Sequence, residues 1–396
     1  MGCGSFSTEG VFVKKKITLL LSHVFVAALA AVITLSLSWR QPIPDSYTKL
    51  EQLEDLIRER FIGEADPIAM EDAAAHAMIA ALGDRWSYYI PASEYAIHVE
   101  QMNNAYVGIG ITITPLADGS GLEIMMVNEG GPAEEAGLQV GDIILAVDGQ
   151  PCKGMTTTEV RDLVRGEPGT KVALGISRNG ETLFPLVERR EVKVPVATAQ
   201  LLENNVGLVT IANFDSRCAE ETIASIESLL DQGAEKLLFD VRNNPGGYAD
   251  ELIKVLDYLL PEGKLFHMEY YTGEEEVTNS DRKCLDIPMA VLVNADSYSA
   301  AEFFAVALQE YEAAVVLGEK TSGKGYFQTT INLRDGSAVG LSIGKYYTPK
   351  GISLEGVGIT PDVEVTVDEE TYLAIYYGWL EPEEDPQIQA ALELLK

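Results

Sequence analysis

The chain has 396 residues, 46% of them hydrophobic, enough for two or three domains with their own cores and too apolar for a disordered polymer. Lys and Arg number 29 against 61 Asp and Glu, a formal charge of −32 that repels nucleic-acid phosphates and argues against DNA or RNA as a partner. Four cysteines without C-x-x-C spacing indicate neither a zinc site nor a disulfide scaffold.

Residues 17–39 carry no formal charge, and a helix of that length crosses a hydrocarbon core of ~30 Å. Lys14, Lys15 and Lys16 precede it, so the positive-inside bias keeps residues 1–16 cytoplasmic and exports the chain after Arg40. The small residues at 28–31 would suit a signal-peptide cleavage site, but the apolar run continues past them and favours a retained single-pass anchor. The expected location is therefore a bacterial-type cell membrane with the bulk of the chain outside. A helical region, 40–101, follows. Leu50, Leu53, Leu56, Ile57 and Phe61 fall on one face of a helix over 47–61, and a second pattern over 71–82 stops at Gly83. This region suits either a spacer or the arm of a homodimer. "GDRWSYY" then forms an aromatic turn.

From residue 102 to 190 the texture changes to short β-branched runs broken by glycine. "YVGIGITITP" and "LEIMMV" read as strands, "GGPAEEAGL" as a turn feeding a short helix, and "VGDIILAVDGQPC" as a hairpin built on Asp148-Gly149. A helix over 157–165 and a strand closed by Asn179-Gly180 complete the set. In order and kind these elements resemble a PDZ domain. That resemblance implies a loop, here Tyr106, Val107, Gly108 and Ile109, whose N–H groups receive a peptide's C-terminal carboxylate while the peptide adds as a strand.

Residues 191–396 alternate strands and helices. Strands are expected over 206–214, 236–242 and 289–294, with helices over 219–232, 249–260 and 297–310. The pattern is that of a layered α/β core with right-handed crossovers. Two of its strand-to-helix turns carry chemistry. "RNNPGG" ends in Gly246 and Gly247, whose backbone can approach a ligand with no Cβ in the way. "NADSYSAAE" places Ser297 and Ser299 at a helix mouth, where a hydroxyl can cap the helix or act as a nucleophile beside free N–H donors. The four histidines are poorly placed to serve a serine, His267 being the one candidate, whereas Lys324 between Gly323 and Gly325 could act as a base once burial lowers its pKa.

"VNADSYSAAEFFAVALQE" followed by "VVLGEKTSGKGYFQ" resembles the active-site stretch of the carboxyl-terminal processing proteases, the tail-specific serine peptidases of family S41. The resemblance runs from about residue 50 to 365 and includes "GVGITPDVEV" as the family's closing segment. It implies Ser299 as nucleophile, Lys324 as general base and Gln328 as the residue that positions the lysine, with Gly246, Gly247 and Ala300 supplying the oxyanion hole. It also implies no metal or organic cofactor, and a protein or peptide substrate with a free C-terminus. Two departures stand out: Tyr298 puts a large ring beside Ser299, and Arg85-Trp86 replaces the usual pair in the family's "GDPYS" turn. Contact between Lys324 and Gln328 would require a tight turn or bulge, expected at Gly325, because residues four apart in a strand are roughly 13 Å apart. Arg165, at the end of the PDZ helix, is a candidate link between that domain and the active site. Two other functions compete: a non-catalytic PDZ adaptor with a decayed hydrolase domain, and a penicillin-binding acyltransferase using an S-x-x-K pair such as Ser280 and Lys283.

Overall fold

Two buried layers of opposite face organise the chain after residue 191, and both rest on one sheet of six strands. The computed structural model describes residues 45–128 and 130–396, so the apolar segment 17–39 and the anchor expected there lie outside the described residues. Among the described residues no helix is long and apolar enough to cross a membrane. The chain divides into two units, Met1–Ala74 and Ala75–Lys396. In the first, the helix Asp45–Arg60 carries the predicted apolar stripe, but Leu50, Leu53 and Leu56 remain exposed on it.

In the second unit the six-stranded sheet runs in the order Ala197–Leu201, Val206–Ile211, Lys236–Asp240, Met289–Val293, Ala314–Gly318 and Val363–Glu364. The first pair is antiparallel and the remaining pairs are parallel. Parallel strands covered on both faces need side chains that are apolar in both directions, which explains the unbroken run "MAVLV". Leu237, Phe239, Val291 and Val293 point to one face, where they meet the helices Cys218–Asp231, Ala249–Leu259 and Ala300–Glu310. Leu238, Ala290 and Leu292 point to the other and pack on Ile388, Ala391 and Leu392 of the C-terminal helix Pro386–Leu394. Phe304 lies at the centre of the first layer, its ring 5.2 Å from Phe239 and 6.0 Å from Phe214.

A second, antiparallel sheet was not evident in the sequence. Ala338–Tyr347 pairs with Tyr88–Ile90, Gly263–Tyr270 and Tyr326–Asn332, so two distant segments and the adjacent hairpin strand meet on one strand. The PDZ-like elements form their own sheet, Ile111–Pro115, Leu122–Val127, Ile143–Val147, Lys171–Arg178 and Glu181–Leu183, around Leu122, Ile124, Ile144, Val160 and Leu174. Both predicted two-residue hairpins are present: Asp148 and Gly149, then Asn179 and Gly180, all have positive φ, as a type I′ turn requires. The expected strand over 106–115 is instead two. Ala105–Gly108 pairs with Arg190–Lys193 in a separate ribbon, and Gly110 at φ 76° turns the chain into Ile111–Pro115. The ribbon joins the two chain crossings between core and PDZ-like unit.

Candidate active site

Ser299 sits where the buried strand Met289–Val293 turns into the helix Ala300–Glu310, with φ 60° and ψ −124°. A side chain with a Cβ rarely adopts that conformation, and it persists only where neighbours over-determine it. Here they do. The Tyr298 N–H donates to the Asn244 carbonyl at 3.1 Å, and the Ser299 N–H donates to Glu302 Oε2 at 3.1 Å. Ser297 Oγ donates to the Val241 carbonyl at 2.7 Å and accepts the Asn294 N–H at 3.0 Å. The helix therefore begins at Ala300 and not at Ser297 as its composition suggested. Ser297 is fully buried in the turn, while Ser299 lines a cavity of about 770 Å³.

Gly246, Gly247 and Lys324 line the same cavity. Close packing explains both glycines: a Cβ on Gly246 would lie 2.8 Å from the Ala300 nitrogen, and one on Gly247 2.2 Å from the Phe214 carbonyl oxygen. The oxyanion assignment of Gly246 requires correction, however. Its N–H donates to Asn244 Oδ1 at 2.8 Å and cannot also serve a substrate. The N–H groups of Gly247 and Ala300 have no acceptor among the described residues, and Ala300 opens the helix, where the dipole favours negative charge. Asn244, unnoticed in the sequence, also donates from Nδ2 to the Ile211 carbonyl at 2.8 Å, so one buried amide ties the glycine turn to the sheet.

Lys324 belongs to a loop stitched onto residues 354–359. Thr321 Oγ1 accepts the Ile359 N–H at 2.7 Å, and the Gly325 N–H donates to Glu355 Oε2 at 2.9 Å. Glu302 connects this loop to Ser299. Its Oε1 accepts the Gly323 N–H at 2.8 Å, Oε2 accepts the Lys324 N–H at 2.8 Å, and the Thr321 hydroxyl also donates to it. Burial raises the Glu302 pKa, opposed by those donors from Thr321, Lys324, Gly323 and Ser299. Burial also lowers the Lys324 pKa to about 8, against the opposing pull of Asp84, Glu355 and Glu302. An amine in this range exists partly as the neutral base near neutral pH.

Gln328 lines the cavity, but its Nε2 donates to the Tyr326 carbonyl at 3.2 Å and to Ser342 Oγ at 3.0 Å, with no hydrogen bond to Lys324. The anticipated bulge exists two to three residues later than expected, between Phe327 and Gln328 instead of at Gly325. His267 stacks on Tyr347 and is not part of the cavity wall. His98 is, in the helix Ala92–Met102, with its pKa lowered by burial. Ser280 is unsuited to the acyltransferase reading, since its Oγ is buried and donates to the carbonyls of Pro261 and Gly263.

The PDZ groove lies between the edge strand Ile111–Pro115 and the helix Thr157–Val164, with a cavity of about 240 Å³. Tyr106, Gly108 and Ile109 line it; Val107 does not, and its N–H faces Glu100 Oε1 at 3.4 Å. Tyr106, Val107 and Gly108 are thus strand residues and not a free loop. Arg165 does not line the cavity that holds Ser299 and Lys324. Its Nη1 pairs with Glu100 Oε2 at 2.9 Å, and Glu100 belongs to the helix whose His98, Val99, Gln101 and Met102 wall that cavity.

A sequence profile of peptidase family S41 matches residues 205–365, and a PDZ profile matches residues 123–178. The chain is 32% identical over 366 residues to the carboxy-terminal processing protease CtpA of Bacillus subtilis, covering 89% of this chain and 78% of that protein. The chain belongs to peptidase family S41. Within the S41 serine peptidases it is also 31% identical over 359 residues to a CtpA-like serine protease of Staphylococcus saprophyticus, covering 88% of this chain and 72% of that one. An S41 protease from Bacteroides fragilis, at 19% identity, shares the fold with a TM-score of 0.55 over 90% of this chain and 98% of that one. The S41 match ends at Val365, so the clasp of the C-terminal helix on the core lies beyond it.

Proposed function

We propose that this S41 peptidase is a membrane-anchored, extracytoplasmic endopeptidase that cuts protein substrates near their C-termini with a Ser299/Lys324 dyad. One observation carries the catalytic part: a strained serine, a Gly247 N–H without an acceptor and a half-buried lysine with a pKa of about 8 share one cavity, and the Ala300 N–H opens the helix directly after that serine. Neutral Lys324 takes the Ser299 proton as Oγ attacks the scissile carbonyl. The oxygen that becomes negative sits between the N–H groups of Gly247 and Ala300. The protonated lysine then gives its proton to the leaving amine; neutral Lys324 next deprotonates a water that hydrolyses the acyl-Ser299 ester, and the proton passes back to Ser299 Oγ. Fluorophosphonate labelling, lost in Ser299→Ala, tests the nucleophile and separates an enzyme from a decayed scaffold.

Anchoring rests on the uncharged segment 17–39 and the lysines before it. Tail recognition rests on the outer edge of Ile111–Pro115, unpaired among the described residues, and the apolar groove beside it. Arg165 and Glu100 then give a bound tail a route to the cavity wall, and the PDZ domain gates catalysis instead of only tethering substrate. A short uncleavable peptide with a free carboxylate is expected to stimulate hydrolysis of a tail-free ester. The stimulation should vanish when the peptide is amidated or in Arg165→Ala. Unchanged or inhibited hydrolysis with the free peptide would leave the domain as a tether.

A further inference from the structure

Trp86 belongs to one of the two departures from the family pattern, the Arg85-Trp86 pair of the turn, and it lies against the base. The Lys324 Nζ is 5.1 Å from the Trp86 ring centroid and 5.7 Å from that of Tyr298, the second departure. The two rings stack at 6.1 Å with their planes 27° apart, and the Arg85 guanidinium lies 4.1 Å over the Trp86 ring. The indole cannot swing freely, because its Nε1–H donates to both oxygens of Glu355 at 3.1 Å. The backbone around it is equally tied. The Trp86 N–H donates to Asp84 Oδ1 at 3.1 Å, and Arg85 donates to the carbonyls of Ser322 and Gly323, inside the lysine loop, at 2.8 and 3.2 Å.

We propose that Trp86 is a positioning residue for the general base: its clamped indole, with Tyr298, forms a dry cover that aims the Lys324 amine into the cavity. This rests on the reading of Lys324 as the base. The cover has two opposing electrostatic consequences. The ring face attracts an ammonium, which favours the protonated amine. Exclusion of water disfavours it, and burial is the largest influence on Lys324. The charged groups facing Lys324 are Asp84 and Arg85 from the N-terminal turn, Glu355 from the closing segment and Glu302 from the nucleophile helix, with His98 across the cavity. Asp84 is the largest of these charges, and Glu355 is the one the indole holds. While the indole N–H and the Gly325 N–H occupy its oxygens, less of its charge is available to the lysine. Removing Trp86 therefore admits water and releases Glu355 together, and both favour the protonated amine.

The test is kcat/KM for a small tail-free ester against pH, using the full chain as wild type, Trp86→Ala, Trp86→Phe and Trp86→Tyr. The wild type should show an ascending limb centred at about 8. Trp86→Ala should move the limb up by about one pH unit, costing roughly tenfold at pH 7 and recovering at high pH. Trp86→Phe keeps a ring and loses the bond to Glu355, so its limb should fall between the two; Trp86→Tyr should restore most of the wild-type position. The phenylalanine variant keeps the experiment decisive if Trp86→Ala fails to fold. Limbs that stay in place while only KM changes would make Trp86 a wall of the substrate cavity and overturn the proposal. A wild-type limb that disappears in His98→Gln would sink the lysine-base reading itself, and this inference with it.

Discussion

Ser299→Ala and Lys324→Ala are each expected to lower kcat/KM on a peptide substrate by on the order of 10⁴-fold or more, with the double variant no worse than either single one. In the proposed mechanism the two side chains act in one step, a proton leaving Oγ as it attacks, so loss of either removes the whole step. Neither change should unfold the protein, because the strained turn is held by Glu302, Asn244 and Ser297 through groups these substitutions leave intact. Ser297→Ala is the contrasting control. It leaves the Val241 carbonyl and the Asn294 N–H short of a partner, a stability cost of about 1–3 kcal/mol, yet should keep most activity below its melting temperature. An inactive Ser297→Ala beside an active Ser299→Ala would reverse the nucleophile assignment.

The largest stability effect is expected beyond the S41 match. Arg242 immediately precedes the turn that carries Gly246 and Gly247 and is buried, with its Nη2 2.6 Å from Asp240 Oδ2 and its Nη1 2.8 Å from Asp385 Oδ2. Gln387 Oε1 accepts a further bond from Nη1 at 2.8 Å, and Gln387 Nε2 donates to the Val365 carbonyl at 2.6 Å. Burial alone would disfavour the guanidinium charge; Asp240 and Asp385 more than restore it. Asp385→Ala leaves that charge half-paired and removes the N-cap of the helix Pro386–Leu394, whose N–H groups at Gln387 and Ile388 it accepts. Urea unfolding should show a loss of about 3–5 kcal/mol, the usual result of removing one partner from a buried pair. Gln387→Ala should cost less, since it deletes neutral partners only. A loss below ~1 kcal/mol for Asp385→Ala would mean that the C-terminal helix is an appendage of the core.

The parallel sheet was legible because strands buried on both faces read as unbroken apolar runs, and the hairpins because Asp-Gly and Asn-Gly specify a turn by their φ values. The antiparallel sheet was not, since its strands come from either side of the PDZ insertion and alternate too weakly to announce pairing at long range. Ser299 and Lys324 stood out by resemblance, but Gly246 shows where pattern ends. Which of two adjacent glycines keeps its N–H open depends on where the Asn244 side chain turns. Glu302 was visible as part of a motif, and three of its four donors were not, because they arrive from a loop about twenty residues away. Trp86 carried a signal, an aromatic residue at a departure from the family turn, without any hint that it lies over the lysine.

The central claim, that Lys324 deprotonates Ser299, is tested most directly by the second-order rate of fluorophosphonate labelling of Ser299 as a function of pH. With a lysine pKa of about 8, about a tenth of the amine is neutral at pH 7. An unperturbed lysine would leave under about 0.1%. The labelling rate should therefore rise about tenfold per pH unit below pH 8 and level off above it, in the wild type and in His98→Gln alike, and fall to background in Lys324→Ala. A limb near the ordinary lysine value, a limb that vanishes in His98→Gln, or a Lys324→Ala protein that still labels rapidly would contradict the account.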